Sequence, residues 1–211
     1  MRDLAAVAGV LAACFAAPAP VSAQALPAIH VAADAGPAFP LGGFADDGAG
    51  RGWGGSVSAA VRVTRRLGVY ASWERNSFPV SESAPSRGGR RWTDTGLGIG
   101  PRLWLPVGDS ARVEPWLQVG VGWHDLDPLI AGPAFANLDL DGVLTLEGGG
   151  GLDIRLTDRR LFLRPAVRYR SYRFDVEMPD ANARTRVSSL TIAVGLAVVV
   201  ARPSDPAAPR P

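Results

Sequence analysis

Between residues 53 and 74 apolar and polar positions alternate. Trp53, Gly55, Val57, Ala59, Val61 and Val63 fall on one side, and Gly54, Ser56, Ser58, Ala60, Arg62 and Thr64 on the other. After the polar step Thr64-Arg65-Arg66 the pattern resumes. Leu67, Val69, Ala71 and Trp73 now oppose Gly68, Tyr70, Ser72 and Glu74. A period of two marks a strand with one apolar and one polar face, and so short a polar step predicts a hairpin. Each strand has about 8–12 residues, the length that crosses a bilayer at ~45° tilt.

The same period recurs along the chain. It predicts a first strand over 26–35, the hairpin strands as second and third, and further strands over 92–105, 113–124, 142–156, 161–174 and 189–201. Pro101 cannot donate to a ladder, so a bulge is expected there. Three short connections, near Arg65, Asp109 and Asp158, alternate with four long polar ones over 36–52, 76–91, 125–141 and 175–187. An even strand number, with short turns at one end and long loops at the other, is the layout of transmembrane barrels. The predicted fold class is all-β, an eight-stranded antiparallel up-and-down transmembrane β-barrel over residues 24–201.

In this layout the chain resembles the small eight-stranded outer-membrane barrels, the group of the OmpA membrane domain, OmpX and the opacity-type proteins. The resemblance covers residues 26–201 and rests on the arrangement of strands, because that group has no short catalytic motif. It implies an outer-membrane location in a diderm bacterium, outer-membrane lipids and the barrel assembly machinery as partners, and a porin-like or OmpA-like role in the cell envelope. Members of the group end the last strand on an aromatic residue; this chain ends it Val198-Val199-Val200-Ala201.

Charge decides which face is which. The faces rich in Leu, Val, Ile and Ala carry almost no charge. The opposite faces hold Arg62, Arg102, Arg155, Arg164, Arg168 and Arg170 against Asp34, Glu74, Asp94, Glu114, Glu147 and Asp153. A basic side chain in hydrocarbon costs roughly 2–4 kcal/mol at the bilayer midplane, so this set belongs inside. An eight-stranded barrel is just wide enough for side chains to fill it. Opposite charges there must pair to survive desolvation. The expectation is a lumen plugged by an ionic network, with the inward glycines (96, 98, 100, 120, 122, 149 and 151) making room for the arginines. Trp53, Trp73, Trp92 and Trp123 fall near strand ends beside the long loops, as an interfacial aromatic girdle would. Trp104 and Trp116 fall near the short-turn end.

The termini read separately. Arg2, the apolar run over 4–17 and Val21-Ser22-Ala23 form a secretory signal peptide over 1–23, with Gln24 as the first mature residue. Cys14, the only cysteine, also completes a lipobox-like Leu11-Ala12-Ala13-Cys14, an alternative in which it is lipidated. Residues 202–211 form a Pro-rich flexible tail. A pI near 9.2 comes with a net charge of only +2 and arginines spread along the chain, so nucleic acid is not an expected partner.

Candidate chemistry is sparse. His124 with Asp125 and Ser77 offers the residue types of a nucleophile triad and raises the alternative of a lipid-modifying hydrolase, against a solvated interior histidine. Asn137-Leu138-Asp139-Leu140-Asp141-Gly142 imitates the start of an EF-hand loop, but the twelfth position would be Gly148 in place of Glu. No catalytic residue, metal site or cofactor is therefore predicted. The expected protein is a non-enzymatic monomer that acts structurally, or binds an extracellular ligand through its four long loops. A narrow solute channel is the alternative.

Overall fold

The computed structural model describes residues 28–46, 49–79, 89–105, 112–130, 142–157, 160–178 and 181–201. The alternating stretches form β1 (Ala28–Leu41), β2 (Gly52–Arg62), β3 (Leu67–Pro79), β4 (Gly89–Trp104), β5 (Val113–Ile130), β6 (Val143–Thr157), β7 (Leu161–Met178) and β8 (Ala181–Ala201). One short helix, α1 (Gly43–Asp46), follows β1. Gly42 takes the left-handed backbone that lets the chain turn into it, at φ 56°. Its carbonyl accepts from the Ala45 and Asp46 amides at 2.9 and 3.1 Å.

Every strand pairs antiparallel with the next, and β8 returns to β1, so the eight strands close into an up-and-down barrel. The β2–β3 step is tied by the Val63 and Thr64 amides, which donate to the Leu67 carbonyl at 2.9 Å. Closure leaves no unpaired edge strand.

The two walls differ as the alternation requires. On the outer wall Leu97 is 63 % and Val194 56 % exposed; on the inner, Arg164 and Asp153 are each 1 % exposed. Along β8 the outward side chains are Leu190, Ile192, Val194, Leu196, Val198 and Val200. That apolar stretch has the roughly 9–11 residues of a tilted membrane strand.

Several prolines sit inside ladders, and Pro101, Pro165 and Pro37 show that no bulge is needed to hold them. Pro101 pairs with Val69 of β3. On its other side the ladder passes from Ile99↔Val121 to Arg102↔Gln118 in unchanged register. Pro165 keeps its place opposite Val194, and Pro37 opposite Trp53, each with a similar gap on one side only. The bulge expected at Pro101 is absent because a missing N–H forfeits one bond towards one neighbour and leaves the spacing intact.

All four predicted long loops are shorter than their composition suggests: within 76–91, β3 runs to Pro79 and β4 starts at Gly89, and within 125–141, β5 runs to Ile130. β1 continues through Gly36 and Pro37 to Leu41. The stretch predicted as the loop over 175–187 is largely a hairpin arm, paired from Tyr172↔Val187 out to Met178↔Ala181. Trp92 also departs from expectation. It shares the inward parity of Asp94 and packs beside Phe44, with ring centroids 6.1 Å apart, so it is no part of an outward girdle. Trp53, Trp73 and Trp123 do face outward, at 68, 44 and 60 % exposure. The signal peptide over 1–23, Cys14, the tail over 202–211, the loop positions Pro85 and Gly132, the turns near Asp109 and Asp158, and the EF-hand-like residues 137–141 lie outside the described residues.

Candidate functional site

Among the described residues the barrel interior gathers the buried polar and charged side chains, and it is built in layers along the axis. At the short-turn end Phe162, Ala197 and Val199 cluster with Ala32. Above them lies a layer of cations and aromatic rings. Arg62 of β2 stands 4.3 Å from the ring centre of Trp104 on β4. Arg102 is 5.8 Å from that ring and 4.6 Å from the ring of Trp116 on β5. Arg164 of β7 lies 5.3 Å from Trp116. Guanidinium and indole thus alternate across the lumen, Arg62–Trp104–Arg102–Trp116–Arg164. Desolvated pairs of this kind are worth up to roughly 2 kcal/mol each.

The outer two arginines of this row are anchored by acids. Arg62 grips Glu114 through both nitrogens, at 3.1 and 2.7 Å. Arg164 grips Asp153 at 2.6 and 2.9 Å. Arg102, between them, meets no carboxylate among the described residues. It donates to Gln118 Oε1 at 3.0 and 2.5 Å and faces the Tyr70 ring at 5.3 Å. The expectation that every inward charge finds its opposite fails here, because aromatic faces and an amide oxygen replace the anion. It fails also for Glu147, whose bond is from the Tyr70 hydroxyl at 2.7 Å. His30 completes the layer, tilted against Trp104 with ring centroids 5.3 Å apart.

The middle layer is an acid–base chain. Arg168 of β7 bonds Asp34 of β1, and its Nε lies 3.8 Å from Glu74 of β3. Arg170 bonds both Glu74 and Asp94 of β4. Asp94 in turn bonds Nδ1 of His124 on β5 at 2.9 Å. Read across the barrel, the order is Asp34–Arg168–Glu74–Arg170–Asp94–His124. Ser56 donates to the first member at 3.2 Å. Charges alternate along the chain, which is what lets so many ionised groups leave water together.

The loop end is apolar again. Phe44 of α1 is buried in a cluster with Ala38, Ala49, Phe78, Leu126, Tyr172 and Val187. Phe44 and Phe78 meet edge to face, with centroids 5.2 Å apart. A helical turn thus delivers one phenyl ring over the mouth.

Three expectations about this interior need correction. His124 pairs with Asp94, whereas Asp125 points the other way and accepts from the Gly142 amide at 2.7 Å, so the proposed triad does not assemble. Nor is His124 solvated, at 1 % exposure. The glycines make room mainly for other groups. A Cβ at Gly98 would stand 2.1 Å from Glu147 Oε1, one at Gly96 2.3 Å from the His124 ring, and one at Gly120 2.4 Å from the Tyr70 hydroxyl. The aromatic partners Tyr70, Trp104 and Trp116, and Gln118, were missed as site residues, although each shares the inward parity of the charges beside it. Phe44 left no periodic signal, since it is a single aromatic in a Gly/Asp-rich stretch. Among the described residues no group of acids, histidines and cysteines is placed to hold a metal ion.

No protein-family model and no curated protein matches the chain. Among solved structures it is similar to Neisserial surface protein A, at 17 % identity and TM-score 0.58 over 81 % of this chain and 96 % of that one. It is also similar to the outer membrane protein OprG of Pseudomonas aeruginosa, at 12 % identity and TM-score 0.51 over 84 % and 98 % of the two chains. A third is the outer membrane protein AlkL solved in lipid bilayers, at 13 % identity and TM-score 0.50 over 87 % and 94 %.

Proposed function

From the premise that the chain has the fold of the small eight-stranded outer-membrane barrels, we propose that it is a non-enzymatic outer-membrane protein of a diderm bacterium. Its lumen is closed by side chains, and its work is done at the outer wall and the loop end, structurally or by binding at the cell surface. The observation that carries this reading is the Asp34–Arg168–Glu74–Arg170–Asp94–His124 chain, which crosses the barrel between apolar layers at both ends. Such an interior is costly to build and a poor solvent path, because each ion of the chain is held by fixed protein partners.

The loop end faces the exterior in this reading, since barrels of this class keep their periplasmic turns short. The test is twofold. Membrane fractionation followed by unboiled electrophoresis should place the chain in the outer membrane, with the folded barrel migrating apart from the boiled form. In planar bilayers it should pass little current. Recovery in the soluble periplasmic fraction would end the membrane reading. Large, stable openings whose conductance rises with salt would replace the closed lumen with a narrow solute channel.

A further inference from the structure

The outer wall carries a feature that the interior does not explain. Residues 148–151 of β6 are all glycine, and the alternation turns Gly148 and Gly150 outward, where the flanking strands place Leu117 and Val119 on one side and Val167 and Tyr169 on the other. The result is a groove of about 480 Å³ in the outer wall, flanked by Leu117, Leu152, Val167 and Tyr169. That is within the roughly 300–1,000 Å³ of small-molecule sites. Its floor is backbone and its sides are hydrocarbon.

Directly beyond Tyr169, towards the loop end, the outer face changes character. The Tyr169 hydroxyl turns to Ser188 and Ser171. Those two serines face each other across β7 and β8 with their hydroxyls 3.1 Å apart. One step further Arg173 stands directly opposite Arg186 in the same ladder. Both are exposed, and neither has an ion-pair partner among the described residues. Like charges directly opposed across an antiparallel pair repel, so the arrangement gains only if an anion lies between them. At about 3.4 Å per residue, the arginines stand about 14 Å beyond Tyr169 along β7. That separates a lipid phosphate from the upper part of its acyl chain.

We propose that β6, β7 and β8 form a lipid site. Arg173 and Arg186 hold the phosphate of an anionic membrane lipid in the loop-side leaflet, and one acyl chain runs past Tyr169 into the Gly148/Gly150 groove. Charge complementarity selects this occupant. Two guanidiniums and a run of hydroxyls make a phosphate seat, while a groove without side chains or charges suits a hydrocarbon tail. The proposal rests on the reading that the barrel spans a membrane.

The test uses the full barrel folded in a neutral detergent, with unboiled electrophoresis to verify the fold of every variant. Native mass spectrometry then counts the phosphatidylglycerol, phosphatidylcholine or inorganic phosphate retained. Wild-type protein should keep one phosphatidylglycerol, roughly tenfold more firmly than phosphatidylcholine. Arg173→Gln with Arg186→Gln should abolish that preference. Gly148→Leu, whose Cβ would meet only the Gln118 carbonyl at 3.7 Å, should fill the groove and release the lipid while the barrel stays folded. Equal retention of the two lipids overturns the site, as does retention in the double variant, phosphatidylglycerol retention indifferent to Gly148→Leu, or a dimer in place of a lipid adduct. A folded barrel that keeps no phosphatidylglycerol overturns the site alone. A chain that never forms a barrel in detergent overturns the membrane reading and the site together.

Discussion

Arg102 lies with its guanidinium 4.6 Å from the ring centre of Trp116 and, though 2 % exposed, has no carboxylate partner among the described residues. Arg168, one layer up, is held by Asp34 and Glu74. Two buried arginines on the same inner wall are thus kept by different physics, and they should respond differently to removal. Arg168→Leu leaves two acids short of a cation and should cost roughly 3–5 kcal/mol, the penalty of breaking a buried pair. Arg102→Met removes a cation that no anion compensates, forfeiting cation–π contacts worth roughly 2 kcal/mol or less each and leaving Gln118 without its donor. Urea titration read by unboiled electrophoresis should show the Arg168 variant losing clearly more stability. Equal losses would mean that the two layers are not energetically distinct.

The Gly98–Glu147 approach gives a sharper handle. An added Cβ at Gly98 would sit 2.1 Å from Glu147 Oε1, so Glu147 must move and its 2.7 Å bond from the Tyr70 hydroxyl must break. Gly98→Ala should therefore destabilise by about 1–3 kcal/mol, the cost of an unsatisfied buried polar group. Adding Glu147→Ala should recover most of the loss, because the clash and the stranded carboxylate vanish together. A double variant as unstable as the sum of the two singles would refute this coupling.

Orientation can be read on living cells. Protease added to intact cells should cut the chain only at the loop end, within 36–52, 76–91, 125–141 or 175–187. The Arg65-Arg66 step, at the short-turn end, should survive until the cells are broken. Cleavage between those two arginines in intact cells would reverse the topology.

The architecture was legible because alternation reports a two-faced wall directly. In β2, β3 and β8, every second residue told which side met hydrocarbon. Strand ends were less legible. Past Phe174, β7 and β8 still pair, but the sense of the alternation inverts: Asp175, Glu177, Asn182 and Arg184 take the parity that Val167 and Ile192 hold lower down, so the pattern of a membrane wall ends before the ladder does. Gly36-Pro37 looked like a loop start, yet Pro37 sits in register opposite Trp53. The inward charges could be named from parity alone. Their partners could not, because a pair such as Asp34 and Arg168 depends on how the closed sheet brings β1 and β7 together. The aromatic row was hidden for a related reason. Trp104 and Trp116 look like interfacial residues by position near a strand end, and only their parity with Arg102 turns them inward.

The middle layer divides its charges by origin. Its acids Asp34, Glu74 and Asp94 come from β1, β3 and β4, and both its arginines come from β7. Within this chain of charges the leading strands therefore supply the acids and β7 the bases, while the wider interior carries both signs in each half. The Asp34–Arg168 bond also reaches over β8, which pairs with both β1 and β7, and so straddles the seam where first and last strands meet. Coulomb attraction between Asp34 and Arg168 would favour bringing β1 and β8 together at that seam. Barrel formation in detergent should accordingly slow as ionic strength rises and the Debye length shrinks from ~30 Å at 0.01 M to ~3 Å at 1 M, with Arg168→Leu blunting that dependence.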